Sequence, residues 1–224
     1  MIKTCGVISM KKYISEYLTI ALPKGKLFNI SADLFRNIGI TADGLNEKSR
    51  KLVIQNDALE VRFIITKTSD VPTYVEYGAA DLGIIGKDVL MESCKDVYEL
   101  LDLGFGKCRL MMAVPKTERR AHLMDYAHTR VATKYPRIAE KFFSLQGMQM
   151  EYIKLNGSIE LGPIVGLSES IVDIVETGTT LFENDLEEYV KIMDISARFI
   201  ANRVSFKLKF DRIYTITNAL KNII

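Results

Sequence analysis

Histidine, cysteine and net charge are all scarce in this chain. Only two histidines occur among 224 residues, His122 and His128, in a polar stretch that also holds Arg119, Arg120 and Asp125. Two are too few for a histidine-rich metal centre, and their setting is that of solvated surface imidazoles. The three cysteines, Cys5, Cys94 and Cys108, are an odd set with no C-x-x-C spacing. Neither a disulfide framework nor a thiolate zinc site follows from them, and a reducing compartment is expected. Lys and Arg total 30 against 28 for Asp and Glu, and the resulting +2 excludes the basic field of a non-specific nucleic-acid binder. A small anion held locally remains open. No apolar run approaches the roughly 20 residues of a membrane span. Residues 1–17 read as an N-terminal extension with only a short apolar piece, Val7 and Ile8, and no small-residue cleavage signature. They make a poor signal peptide, so a cytoplasmic location is expected. Met10 is a second candidate initiator.

Hydrophobic residues make up 48% of the chain and charged residues 26%, the composition of an ordinary globular protein. The length fits one large domain or two small lobes. Short apolar runs at 18–22, 61–65, 81–85, 108–114, 130–133, 150–155 and 171–175 read as strands. Between them lie helical spacings: Leu27, Ile30, Leu34, Phe35 and Ile38 before Gly39; a helix entered at Ser69 or Asp70 with Pro72 in its first turn; residues 88–93; and Ile138, Phe142, Phe143 and Leu145 before Gly147. Repeated strand, loop and helix mark an α/β protein. Two extended segments at 189–193 and 198–201 precede one terminal helix carrying Leu208, Ile213, Ile216, Leu220 and Ile224. The polar breaks favour two α/β lobes, the first built from 18–103 plus 184–224 and the second inserted as 104–183.

The most informative stretch is IVDIVETGTTL at 171–181. A buried strand delivers Asp173 and Glu176 near its carboxyl end, and the turn Thr177, Gly178, Thr179, Thr180 then opens a helix. Backbone N–H groups and hydroxyls converge where the helix dipole is positive, which is a phosphate cradle. Carboxylates beside it accept hydrogen bonds from sugar hydroxyls, so a ribose 5-phosphate suits it better than free phosphate. The same residues also suit a plain strand-to-helix turn rich in cap formers.

This run resembles the 5-phosphoribosyl pyrophosphate (PRPP) loop of the ATP phosphoribosyltransferase family. Other segments resemble that family in order: LTIALPKGK (18–26), SRKL (49–52), DVPTYVE (70–76), ADLGIIGKD (80–88), GKCRL (106–110), TKYP (133–136) and LNGSIE (155–160). The resemblance implies two lobes like those of type II periplasmic binding proteins, an active site in the cleft, Mg²⁺ as cofactor, and transfer of the phosphoribosyl group of PRPP to N1 of ATP, the first step of histidine biosynthesis. It implies that Asp173, Glu176, Thr177, Gly178, Thr179, Thr180 and Leu181 bind PRPP. Lys24, Lys26, Arg50, Lys67, Asn156, Gly157 and Ser158 would serve ATP and the phosphates, with Arg50 and Lys26 acting in catalysis.

Adenine N1 carries a free lone pair, so no strong base is needed and the shortage of histidine is no objection. The site must orient two polyanions and neutralise the leaving pyrophosphate. Lys87 and Arg109 join Lys24, Lys26, Arg50 and Lys67 as cations near element ends. Two departures stand out, since the family usually has Arg where this chain has Lys26 and Lys67, and a lysine is a point charge in place of a bidentate fork. The short form of the family works with a separate regulatory subunit resembling histidyl-tRNA synthetase. Ending at the terminal helix, the chain resembles that short form, and a homodimer within a hetero-oligomer is expected. The alternatives are a solute-binding module of the same fold and a PRPP-dependent transferase for another base.

Overall fold

A computed structural model describes residues 17–224. The N-terminal extension, with Cys5 and Met10, falls outside the described residues apart from Tyr17. The first sheet has the order β2-β3-β1-β4-β11-β5, built from β1 (Leu18–Pro23), β2 (Val53–Asn56), β3 (Val61–Thr66), β4 (Leu82–Gly86), β5 (Val97–Asp102) and β11 (Ala197–Asn202). Its centre is parallel, with β1 between β3 and β4. All six residues of β1 are buried, as expected of a strand covered on both faces. The second sheet has the order β10-β6-β9-β7-β8, from β6 (Cys108–Pro115), β7 (Arg130–Thr133), β8 (Glu151–Lys154), β9 (Ser170–Val175) and β10 (Leu186–Ile195).

Helices α1 (Lys26–Asn37), α2 (Val71–Glu76) and α3 (Lys87–Ser93) follow strands of the first sheet. Helices α4 (Pro136–Leu145), α5 (Leu161–Ile164) and α6 (Thr179–Glu183) belong with the second, and α7 (Arg203–Leu208) and α8 (Phe210–Lys221) end the chain. The first core centres on Phe35 of α1, whose ring meets those of Phe63 and Phe199 edge-on at 5.8 and 6.1 Å. A second core lies between β6, β7, β9 and α4, where Phe143 is fully buried. No helix of the described residues is long and apolar enough to cross a membrane.

The seven strand expectations from 18–22 to 171–175 hold, but four details differ. The chain returns to the first sheet later than the expected boundary at 184. Residues 186–195 pair antiparallel with β6 from Leu186 opposite Pro115 to Ile195 opposite Cys108, and the crossing falls at Ser196. Strands β2 and β5 gave no clear pattern, because their residues are mixed in polarity and lie on the sheet's edges. Neither Ser69 nor Asp70 caps α2: no side-chain bond closes its N-terminus, and the Ser69 hydroxyl donates to Asp70. The terminal helix is two helices broken at Lys209, with Asn202 capping α7 by accepting the N–H groups of Val204 and Ser205. Ile213, Ile216 and Leu220 are buried, whereas Leu208 and Ile224 are 61% and 50% exposed.

Contacts made by α3 help tie the sheets together. The Tyr135 hydroxyl donates to Asp88 Oδ2 at 3.1 Å, both side chains buried. The carboxylate of Glu92 on α3 accepts the N–H groups of Arg137 and Ile138 in the first turn of α4, at 3.2 and 3.1 Å.

Candidate active site

In the first sheet the adjacent parallel strands β1 and β4 send their following helical connections to opposite sides, β1 through α1 towards β2 and β4 through α3 towards β5. Such a switch point opens a crevice beyond the strand ends. The turn after β1 carries Lys24 and leads into α1, whose first residue is Lys26. The Lys26 ammonium reaches across to the second sheet and meets Glu176 Oε2 at 2.7 Å. These side chains are 86% and 60% exposed, so the pair is easily given up to a competing anion.

Glu176 stands just beyond β9, where the chain turns through Thr177 and Gly178 into α6. Gly178 has φ +85°, a conformation that glycine adopts without strain. The Thr177 and Thr179 hydroxyls are 3.0 Å apart, and Phe182 N–H closes the turn on Gly178 O at 3.1 Å. The earlier N–H groups of the turn precede any intrahelical acceptor. Leu181 drops its side chain into the core beside Ile171 and Leu186, anchoring the turn.

Lys26, Asp173, Glu176, Thr177, Gly178, Thr180 and Leu181 line one cleft of about 330 Å³, together with Glu160. A neighbouring space of about 430 Å³ shares Lys26, Ile174 and Glu176 and adds Thr68, Asp88 and Cys108. Burial pushes the Asp173 carboxyl up to about 6, with Glu160 adding to the rise; the N–H of Ile174, donated to Asp173 Oδ1 at 2.8 Å, and the Lys134 charge oppose it. Burial pushes the Cys108 thiol up to about 11, with the Asp88 and Glu176 charges adding to the rise, which favours the protonated thiol.

The other expected residues are spread wider. Pro23 pairs with Thr66, and Lys24 N–H donates to Thr66 O at 2.8 Å, so Lys24 and Lys67 emerge side by side at the carboxyl ends of parallel strands. Ile65 N–H donates to Leu52 O at 2.8 Å, which lays the segment holding Arg50 along that same end of the sheet. These three cations are exposed and do not line the two clefts. Asn156, Gly157 and Ser158 form an exposed turn after β8, and only Glu160, two residues on, reaches the cleft lining. Lys87 is held by Glu99 at 2.5 Å, and Arg109 by Glu188, rather than facing the cleft.

Glu160, Lys134, Asp88 and Tyr135 escaped selection although each lies in a segment that resembles the family. Their signal was position in a motif. Glu188 offered none, because it lies in no such segment.

A model of the family described as ATP phosphoribosyltransferase matches residues 67–222. The chain is 50% identical over 212 residues to the ATP phosphoribosyltransferase of Syntrophotalea carbinolica, covering 94% of this chain and 97% of that protein. It is 51% identical over 209 residues to that of Geobacter metallireducens, covering 93% and 99%. Among solved structures it is similar to the ATP phosphoribosyl transferase (HisG:HisZ) complex from Thermotoga maritima, with TM-score 0.78 and 30% identity over 92% of this chain and 98% of that one. The alkanesulfonate-binding protein SsuA from Xanthomonas axonopodis pv. citri shares the fold at TM-score 0.58 and 10% identity, over 92% and 72% of the two chains.

Proposed function

Because the chain belongs to the ATP phosphoribosyltransferase family, we propose that its inter-sheet cleft performs that family's reaction with the residues described above. The enzyme transfers the 5-phosphoribosyl group of PRPP to N1 of ATP, releasing pyrophosphate, the first step of histidine biosynthesis. The observation that carries the assignment of the cleft is the convergence of Lys26, Asp173, Glu176, Thr177, Gly178 and Thr180 on one space.

In this reading the turn holds the 5-phosphate of PRPP by its N–H groups and threonine hydroxyls, and Asp173 and Glu176 accept hydrogen bonds from the ribose. Lys26 leaves Glu176 for the pyrophosphate as the substrate enters. Arg50, Lys24 and Lys67 supply positive charge from the rim of the first sheet to the ATP phosphates and the departing pyrophosphate. N1 attacks C1 as the C1–O bond to pyrophosphate breaks, so the chain's task is alignment and charge neutralisation. The turn 156–158 borders the nucleotide on the second sheet.

Among the described residues no group of three or more Asp, Glu, His or Cys side chains is gathered for a metal. Mg²⁺ takes one or two carboxylates plus substrate phosphates and keeps its water. One or two carboxylates of this cleft would therefore suit an ion that arrives on the pyrophosphate better than a resident one. Such an ion supplies charge neutralisation on that group. The Thermotoga relative, by its title a HisG:HisZ complex, supports a separate partner subunit for this chain as well; the likeness of that subunit to histidyl-tRNA synthetase and a homodimer of the catalytic chain follow from the family resemblance.

The direct test is pyrophosphate release from PRPP with ATP or with other purines as acceptor. Release with ATP alone is the expected result, and equal release with another base would overturn the acceptor assignment. Lys26 has its own expectation. Lys26→Arg retains activity, since a guanidinium binds phosphate at least as well, and Lys26→Met lowers kcat/KM by at least about tenfold. Loss of activity in Lys26→Arg would mean that the site is shaped around lysine.

A further inference from the structure

Arg109 reads from the sequence as a cation aimed at a cleft, and the structure gives it a different occupation. It lies near the start of β6, beside the carboxyl end of β9 where Val175 is its register partner. Its Nε donates to Glu188 Oε2 at 2.9 Å and its Nη2 to Glu188 Oε1, a two-point pair that uses the guanidinium edge. The remaining nitrogen, Nη1, donates to the main-chain carbonyl of Glu176 at 3.3 Å. That carbonyl belongs to the peptide that opens the 177–180 turn. Glu188 reaches the same turn, because a Cβ built on Gly178 would stand 3.3 Å from its Oε1. Arg109 and Glu188 thus form one bracket against both ends of the Glu176–Gly178 segment. The side chain of Glu176, meanwhile, faces Lys26 on the other sheet.

We propose that Arg109, fixed by its two-point pair with Glu188, is a positioning residue that holds the Glu176 peptide so that the 177–180 turn presents its N–H groups to the 5-phosphate of PRPP. It does not bind the phosphate itself. This rests on the reading of the turn as the PRPP site. A lysine at 109 keeps the charge but has a single nitrogen, which cannot serve both Glu188 oxygens and the Glu176 carbonyl. The two residues act as a unit, so their substitutions share one loss rather than adding.

The test is steady-state kinetics and PRPP calorimetry on Arg109→Lys, Arg109→Ala, Glu188→Gln and Glu188→Gln/Arg109→Ala, each checked for folding by thermal melting. Expected is a rise of about tenfold in KM and Kd for PRPP in every variant, with KM for ATP and kcat at saturating PRPP within about threefold of wild type. The double variant should be no worse than Arg109→Ala. A normal PRPP affinity in Arg109→Lys beside a large loss in Arg109→Ala would overturn the proposal, because charge alone would then suffice and Arg109 would be a phosphate ligand. A fall in melting temperature with PRPP affinity unmoved would overturn it too, leaving a purely structural pair. Failure of wild type to bind PRPP would instead remove the reading beneath it. The milder Glu188→Gln keeps the experiment decisive if Arg109→Ala does not fold.

Discussion

Asp173→Asn is expected to weaken PRPP binding by at least about tenfold while leaving ATP binding nearly unchanged. A hydrogen bond to a charged acceptor is worth about 1.5–3 kcal/mol, and the ribose of PRPP is the partner proposed for this carboxylate. The charge state matters as much as the shape. Burial holds the Asp173 carboxyl at about 6 in the free protein, well above an ordinary aspartate. Ribose hydroxyls favour the ionised form, so binding lowers that value and releases a proton. Affinity is therefore full above pH 6 and falls as pH drops through 6, because the proton must then be removed before binding. A substrate phosphate also titrates near pH 6, and the variant separates the two: in Asp173→Asn only the substrate's own pH dependence remains. Calorimetry of PRPP from pH 5 to 8 on both proteins checks this. Identical pH profiles would remove Asp173 from the ribose. The sign for folding is opposite, since a carboxyl raised by burial withdraws stability as pH rises from about 4 to 6.

The largest effect on stability is expected far from the cleft. Asp81 precedes β4 and Lys209 breaks the C-terminal helices, and their side chains, only 8% and 12% exposed, meet at 2.8 Å. Asp81 Oδ2 also accepts the N–H of Thr19 at 2.8 Å, and Lys209 Nζ donates to Tyr17 O at 2.8 Å. Asp81→Ala leaves a buried ammonium without its counter-charge and an amide without its acceptor. The expected cost is about 3–5 kcal/mol, a fall in melting temperature of about 6–20 °C. Adding Lys209→Met should restore part of it, because removing both charges is far cheaper than removing one. Thermal melting of the single and double variants decides it. A double variant less stable than Asp81→Ala would show that the charge pair is not what the site needs.

Much of the molecule was legible in the chain itself. Strands such as 18–22 and 171–175 announce themselves by runs that are apolar but for one residue each, since a strand covered on both faces tolerates little else. The turn proposed to hold PRPP stood out for a related reason: Asp173, Glu176 and the residues 177–181 lie within nine positions of one another, and a cradle made of successive N–H groups is a local object. The edge strands β2 and β5 were not legible, because an edge strand half open to solvent has no obligatory pattern. The late crossing at Ser196 was missed for want of a marker, since β10 mixes apolar and charged residues and is half-buried along most of its length.

What the sequence by itself determined was the family and the two-lobed α/β class, and it also singled out the turn proposed to bind phosphate, all encoded in short contiguous stretches. Tertiary structure decided what each charge does. Lys26 meets Glu176 across 150 residues, Arg109 meets Glu188 across 79, and Tyr135 meets Asp88 across 47. A cation near an element's end looks the same in sequence whether it faces a substrate or props a peptide from behind. Only the packing of one sheet against the other fixes the distance to its partner, and Coulomb and hydrogen-bond energies depend on that distance rather than on chain order.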